Sequence, residues 1–167
     1  MPVTSSGSAK VTLPADDQIL VTREFDAPKH LVYKAFTTPE LVKRWWHANR
    51  GEMTVAEIDL RVGGKWRYVM VADGRMEVGF HGEYREIVAN ERIVSTETFE
   101  GLPEGVSEED GTTVNTATFT EADGRTTLEL LIQAPSKVTR DAIVDSGMEA
   151  GLQDALDNLE QVAVSLG

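Results

Sequence analysis

The chain has 167 residues, a length that suits one domain, and 41% of them are hydrophobic and 26% charged. Its formal net charge of −12 argues against nucleic acid and anionic membrane surfaces as partners, because phosphate groups are bound by clustered lysine and arginine. Because cysteine is absent, disulfides, thiol chemistry and thiolate metal sites are excluded.

The N-terminal segment, residues 1–17, is small and polar, and we expect it to be a flexible lead-in. A single domain is expected over residues 18–167. The N-terminus lacks the apolar core of a signal peptide, and no apolar run approaches the ~20 residues of a membrane span. We therefore expect a cytoplasmic protein that does not enter a membrane.

A strand and two short helices are predicted at the start of this domain. Apolar and polar side chains alternate from Gln18 to Phe25, as is typical of a strand. Asp26 and Pro28 suit the cap and the first turn of a helix. Thr38–Pro39 repeats this start signal for a second short helix.

The middle of the chain is predicted to consist of strands. Asp73–Gly74 and Asp123–Gly124 favour tight hairpins, and Glu100 to Asp110 form an acidic loop. The predicted strands are Thr54–Leu60, Lys65–Val71, Arg75–Val88, Arg92–Phe99, Val114–Ala122 and Arg125–Gln133. Because each short turn joins one predicted strand directly to the next, the strands are expected to form an antiparallel sheet.

The last part of the chain is predicted to form one long amphipathic helix. From Met148 to Leu166, apolar residues recur at spacings of four and three, which favours a helix of about 18–20 residues. A curved antiparallel sheet that packs its apolar face on this helix leaves a cavity between them. The strand phases and the helix stripe predict a lining made of Trp45, Trp66, Tyr68, Met70, Phe80, Tyr84, Phe99, Met148 and Leu152.

Four segments of the chain together resemble a known family. They read REFDAPKHLVYKAFTTPELVKRWW, DLRVGGKWRYVM, GEYREIVANERIV and SGMEAGLQDALDNL. They resemble the family homologous to the C-terminal domain of the heat-shock-protein-90 ATPase activator, in the START-like, helix-grip superfamily known as SRPBCC. The resemblance covers about residues 18–165. It implies an α+β helix-grip fold, in which about seven antiparallel strands surround a long C-terminal helix over a cavity. The chain departs from these relatives at Leu152, where they commonly carry tryptophan, which changes the shape of the cavity.

Two of the three tryptophans are adjacent. Trp45 shares a helical stripe with Leu41, so it is predicted to face the sheet. Trp46 points about 100° away on a helix and is predicted to cover the rim of the cavity. The pair would anchor a short helix across the cavity entrance.

The three histidines are not predicted to bind a metal. His30, His47 and His81 do not form a His-x3-His pattern, and no cysteine can assist them. His30 and His47 are interpreted as solvated side chains. His81 is interpreted as part of a surface pair with Glu83.

Glu97 is the carboxylate whose orientation the sequence leaves open. It is in phase with Ile93 and Phe99, so it either points inward beside a partner such as Arg67 or Arg92 or is turned outward by a bulge. We favour the outward orientation. Signature motifs of nucleophilic hydrolases, P-loops and dinucleotide sites are absent, so neither catalytic residues nor a cofactor are assigned.

The first functional hypothesis is non-catalytic binding or sequestering of a small apolar or amphipathic ligand in the cavity. The resemblance suggests two alternatives: a co-chaperone-like module that stimulates a chaperone ATPase, and an enzyme of the cyclase or aromatase type. A chaperone and a second copy of the chain are the candidate protein partners.

Overall fold

The computed structural model describes residues 9–72, 74–102 and 104–167, which form eight strands and four helices. The strands are β1 (Lys10–Thr12), β2 (Gln18–Phe25), β3 (Gly51–Ile58), β4 (Lys65–Ala72), β5 (Met76–Val88), β6 (Arg92–Phe99), β7 (Thr112–Ala122) and β8 (Arg125–Gln133). The helices are α1 (Lys29–Thr37), α2 (Pro39–Trp45), α3 (Lys137–Asp145) and α4 (Met148–Ser165). The α+β class is confirmed, as are the two short helices and the long C-terminal helix.

All the strands belong to one antiparallel sheet with the order β1-β2-β8-β7-β6-β5-β4-β3. Helix α4 lies over one face of this sheet, which we call the inner face. Its later turns bury Leu159, Val162 and Ala163 in the core that they share with α1 and α2. The helix-grip arrangement is confirmed, with one strand more than the seven expected.

The additional strand is β1, at the edge of the sheet. Val11 pairs with Val21 of β2, and the backbone of Ala9 exchanges two hydrogen bonds with the side chain of Gln153 on α4, at 3.0 and 2.7 Å. The sequence interpretation of residues 1–17 as a flexible segment therefore needs correction from Ala9 onward. Residues 1–8 lie outside the described part of the chain.

The turn between β7 and β8 follows the predicted turn residues. Between β7 and β8, Asp123 and Gly124 have φ values of +54° and +75°, the conformation in which a two-residue turn matches the twist of the strands. Between β4 and β5, Ala72 pairs with Met76, and the predicted turn residue Asp73 is not among the described residues. These two turns set which side chains of their strands face inward.

The start of α1 differs from the expectation. Pro28, not Asp26, occupies the N-cap of α1, because the helix begins too far along the chain for the Asp26 carboxylate to reach its first N–H groups. Ser136 caps α3 through a hydrogen bond from the Thr139 N–H (3.1 Å). Helix α3 has nine residues and precedes the long C-terminal helix.

Ion pairs to the sheet hold the C-terminal half of helix α4. Arg23 on β2 is 1% exposed, and its guanidinium lies 3.0 Å from both Asp157 and Glu160 of α4. A buried guanidinium requires such partners because an unpaired buried charge is costly. The first turns of α4, from Met148, instead border a cavity. Among the described residues, none of the helices combines the length and the apolar character needed to cross a bilayer.

Candidate binding cavity

A cavity of about 840 Å³ lies between the inner face of the sheet and the helices. Its walls come from strands β4 to β8, from α2 and α3, from the first turns of α4 and from the loop between β6 and β7. Small-molecule sites typically have volumes of roughly 300–1,000 Å³ and mostly apolar walls. Both properties hold here, since the wall consists chiefly of aromatic and aliphatic side chains.

The residues predicted to line the cavity come together in the structure. They reach the wall from five elements, because alternate residues of each strand face the same side. Those on the wall are Trp45, Trp66, Tyr68, Met70, Phe80, Tyr84, Phe99, Met148 and Leu152.

Trp66 forms part of the cavity wall at β4 and β5. Its indole N–H donates to the backbone carbonyl of Thr96 (3.2 Å), and its ring lies 4.8 Å from that of Tyr68. The indole crosses over Gly82, where a Cβ atom would overlap the Thr96 carbonyl oxygen. Glycine at position 82 therefore lets a large ring lie flat against the sheet while its one polar atom stays hydrogen-bonded.

The adjacent tryptophans differ in burial as predicted, but the contacts of Trp45 are with α1 and those of Trp46 are with the sheet. Trp45 is 6% exposed, donates its indole N–H to the carbonyl of Ala35 (2.9 Å) and stacks on Phe36. Trp46 is half-buried and meets Tyr68 and Phe80 edge-on, each with ring centroids 5.5 Å apart. Trp45 thus belongs to the core, whereas Trp46 closes the cavity over the aromatic side chains of the sheet.

Three polar side chains on the cavity wall form a hydrogen-bonded series, which we call the polar cluster: Thr113, Asn115 and Glu97. The Thr113 hydroxyl donates to the Asn115 side-chain oxygen (2.9 Å), and the Asn115 amide nitrogen donates to Glu97 Oε1 (3.1 Å). The Thr113 bond orients the amide so that its N–H group faces the carboxylate. The cluster gives an otherwise apolar cavity one carboxylate in a defined position.

The outward orientation favoured for Glu97 is wrong. The β6–β7 register is continuous from Arg92 to Thr98, so no bulge turns the side chain away from the inner face. The suggested partners, Arg67 and Arg92, instead pair with Glu100 and Glu86. The hydrogen-bond partner of Glu97 is the uncharged Asn115.

Burial shifts the protonation equilibria inside the cavity. It raises the pKa of Glu97, an effect that the hydrogen bond from Asn115 partly offsets. Burial is also the main cause of the raised pKa of Tyr68 and of Tyr84. The two phenols therefore stay neutral at physiological pH and can donate hydrogen bonds inside the cavity.

His47 lies at the rim of the cavity and is half-buried, which differs from the fully solvated position expected for it. Its Nδ1 accepts the backbone N–H of Asn49 (2.9 Å), in a turn where Ala48 and Asn49 both have positive φ. Arg50, also on the rim, pairs with Asp154 of α4 at 3.0 Å. These contacts join the loop after α2 to the helix beside the entrance.

The other histidines lie away from the cavity wall. His81 is on the outer face of the sheet, with Nδ1 3.0 Å from Glu100 rather than paired with Glu83. Arg67 donates two hydrogen bonds to the same carboxylate, at 2.8 and 2.9 Å. The Arg67 guanidinium is the main reason that the pKa of Glu100 falls to about 2. His30 is exposed, as expected.

The sequence did not identify several parts of the wall. Asn115 and Thr113 were missed because β7 has no clear apolar phase before Ala117 and Phe119, so nothing showed which of its faces is inward. Leu102, Val106 and Val138 were missed because a loop and a short helix carry them, and neither has a usable periodicity. Only the alternation from Phe119 back to Thr113 could have pointed to the polar cluster.

The family model described as "Activator of Hsp90 ATPase homolog 1-like protein" matches residues 26–163. A protein from Rhodobacter sphaeroides has a similar solved structure, with a TM-score of 0.85 and 21% identity over 95% of this chain and 99% of that one. A protein from Chromobacterium violaceum gives a TM-score of 0.72 and 27% identity over 87% and 96% of the two chains. An AHSA1-like protein from Aeromonas hydrophila gives a TM-score of 0.63 and 22% identity over 89% and 94%. The comparison with curated proteins gave no match.

Proposed function

The chain belongs to the Activator of Hsp90 ATPase homolog 1-like family, and we propose that it is a non-catalytic protein that binds or sequesters a small hydrophobic ligand. The observation that carries this proposal is the 840 Å³ cavity with its mostly apolar wall. A well-packed domain of this size has few voids larger than a water molecule. A space this large costs stability when empty, and a bound apolar molecule would recover contacts with the wall.

The route into the cavity supports the same proposal. Val138 on α3 and Val106 in the β6–β7 loop both belong to the cavity wall, yet they are 79% and 41% exposed. Phe99, which also belongs to the cavity wall, is 36% exposed. Exposed apolar residues continuous with an apolar interior form an entrance for a hydrophobic molecule.

The first test is native mass spectrometry of protein purified from its own host, which is expected to show a co-purifying small molecule. The second is titration with the fluorescent apolar probe N-phenyl-1-naphthylamine. Leu152→Trp places an indole inside the cavity and is expected to weaken probe binding by about tenfold or more, equivalent to 1.4 kcal/mol. Val164→Trp, at an exposed position of the same helix, is the matched control and is expected to bind like the wild type.

Two results would contradict the proposal. One is a wild-type protein that neither co-purifies with a small molecule nor binds the probe. The other is equal probe binding by Leu152→Trp and Val164→Trp, which would place the probe on the surface and not in the cavity. Circular dichroism of both variants tests whether they keep the fold.

The family description supports a second candidate, a module that stimulates a chaperone ATPase. The partly exposed apolar side chains at the cavity entrance would then contact the chaperone. The ATPase rate of the host's Hsp90-type chaperone, measured with and without stoichiometric protein, tests this candidate. Stimulation of that rate favours it, and an unchanged rate without a complex on size-exclusion chromatography removes it.

A further inference from the structure

The carboxylate of Glu97 stands in the cavity without a cationic partner. Within the described part of the chain, no basic side chain forms an ion pair with it, and its Oε2 receives no hydrogen bond. Asn115 donates to Oε1, and Thr113 holds Asn115 in the orientation that allows this. The polar cluster therefore positions Oε2 with an acceptor site open to a donor from the cavity.

An unpaired carboxylate in an apolar cavity lowers the stability of the folded protein, and a ligand that pairs with it can offset this loss. Ionised carboxylates are desolvated there, and a positively charged donor compensates them more strongly than a neutral one. The cavity walls suit a cation as well. Trp46, Trp66 and Tyr68 present aromatic rings to the interior, and the faces of such rings attract ammonium groups.

The charged residues near the entrance also favour a cationic ligand. The loop that contributes Leu102 and Val106 to the wall also carries Glu104, Glu108, Glu109 and Asp110. Arg50, the one arginine on the wall among the described residues, is neutralised by Asp154. An entrance lined by one sign of charge raises the local concentration of oppositely charged molecules.

We infer that the ligand is an amphipathic molecule with an apolar body and one protonated amine, and that Glu97 selects it by accepting a hydrogen bond from the ammonium group. The inference rests on the proposed function and names its ligand class. In this arrangement the apolar body fills the aromatic part of the cavity, and the ammonium group lies at the polar cluster. Anionic amphiphiles such as fatty acids are disfavoured, because their carboxylate would face that of Glu97.

The test compares decylamine, 1-decanol and decanoate, each below its micellar concentration, as competitors for N-phenyl-1-naphthylamine. The three share one apolar chain and differ in charge. The wild type is expected to bind decylamine at least about tenfold more tightly than 1-decanol, as for a hydrogen bond to a charged group, and decanoate most weakly. Glu97→Gln, which is nearly isosteric, is expected to bind the amine and the alcohol equally.

Glu129→Gln is the matched control, because Glu129 is an exposed carboxylate on the neighbouring part of the sheet; it is expected to keep the preference for the amine. Glu97→Met, which replaces the carboxylate by an apolar group of similar length, serves if Glu97→Gln does not fold. Equal binding of amine and alcohol by the wild type overturns the inference and leaves the proposed function standing. A preference for the amine that persists without Glu97 also overturns it. Failure of every competitor and of the probe to bind overturns both.

Discussion

The indole N–H of Trp66 on β4 donates a hydrogen bond to the backbone carbonyl of Thr96 on β6, 3.2 Å away. The indole can cross β5 because Gly82, which lies between them, has no side chain. The contact joins β4 to β6 across β5. It places the ring against the sheet and leaves its other face for the cavity. Gly82 thus affects the size of the cavity, although it does not belong to the cavity wall.

Gly82→Ala is expected to destabilise the protein by about 1–3 kcal/mol, the range for an added methyl group in a well-packed interior. The new Cβ overlaps the Thr96 carbonyl oxygen and presses on the Trp66 indole. Urea denaturation measures the loss. Gly151→Ala is the control, since Gly151 lies in α4 with open space around it; there alanine is expected to stabilise by up to ~1 kcal/mol. Equal effects at the two positions would contradict the role given to Gly82.

The adjacent tryptophans are expected to respond differently to alanine. Trp45→Ala removes a buried, hydrogen-bonded indole and is expected to cost about 3–5 kcal/mol in unfolding free energy. Trp46→Ala is expected to cost less, because Trp46 is half-buried, but to weaken binding of N-phenyl-1-naphthylamine. Urea denaturation and probe titration of both variants measure the two effects. Equal stability losses with unchanged probe binding would show that both rings serve only the core.

Glu97→Gln is expected to be more stable than the wild type at pH 7. Burial raises the pKa of Glu97 in the folded protein above its unfolded value, about 4.3. The folded state therefore binds the proton more tightly, so the wild type gains stability as pH falls through the interval between the two pKa values. The advantage of glutamine is expected to shrink over that interval and to vanish near pH 4. Urea denaturation at pH 7 and at pH 4 tests this expectation.

Glu100→Gln is the control, because it is expected to change the stability of the protein in the opposite direction from Glu97→Gln. The pKa of Glu100 falls to about 2, chiefly through its hydrogen bonds from Arg67, so its ionised form stabilises the folded state above the unfolded pKa. That stability is lost as pH falls from about 4.3 toward 2. Glutamine is expected to cost about 1 kcal/mol or less at pH 7, as for other exposed ion pairs. If both variants changed stability in the same direction at pH 7, the assignment for Glu97 would be wrong.

Removal of residues 1–12 is expected to destabilise the protein by about 1–3 kcal/mol. The deletion eliminates β1 and the two hydrogen bonds between Ala9 and Gln153, each worth about 0.5–1.5 kcal/mol. Removal of residues 1–8 alone leaves those contacts in place and is the control. The melting temperatures of the two truncated proteins measure the difference, which we expect to be several degrees. Equal melting temperatures would show that β1 contributes nothing to the fold.

Much of this fold could be predicted because its elements carry strong local signals. The strands β2, β6 and β8 have the predicted bounds, and the turn at Asp123–Gly124 is where its sequence indicated. β1 could not be predicted, because three residues have no measurable period and become a strand only by pairing with β2.

The candidate site was predictable only for its apolar part. Large aromatic side chains on one strand phase indicate an inner face, and Trp66 and Tyr68 lie there. The orientation of Glu97 depended on whether β6 contains a bulge, which a single sequence does not reveal. Its partner Asn115 comes from a different strand, and only the pairing of β6 with β7 brings the two together.

The ion pairs of Arg23 have a consequence for the motion of α4. They hold the helix near Asp157 and Glu160. The helix begins after Gly147, whose φ of +83° interrupts the helical conformation between α3 and α4. Gln153 and Asp154 also hold the helix, through Ala9 and Arg50. Among the described residues, only the first part of the helix, from Met148 to Leu152, has no side-chain hydrogen bond or ion pair, and this part lies beside the cavity. Amide hydrogen exchange should therefore be graded along α4, faster from Met148 to Leu152 than from Leu156 to Ala163. A molecule that fills the cavity would supply the missing support and slow exchange in those first turns most.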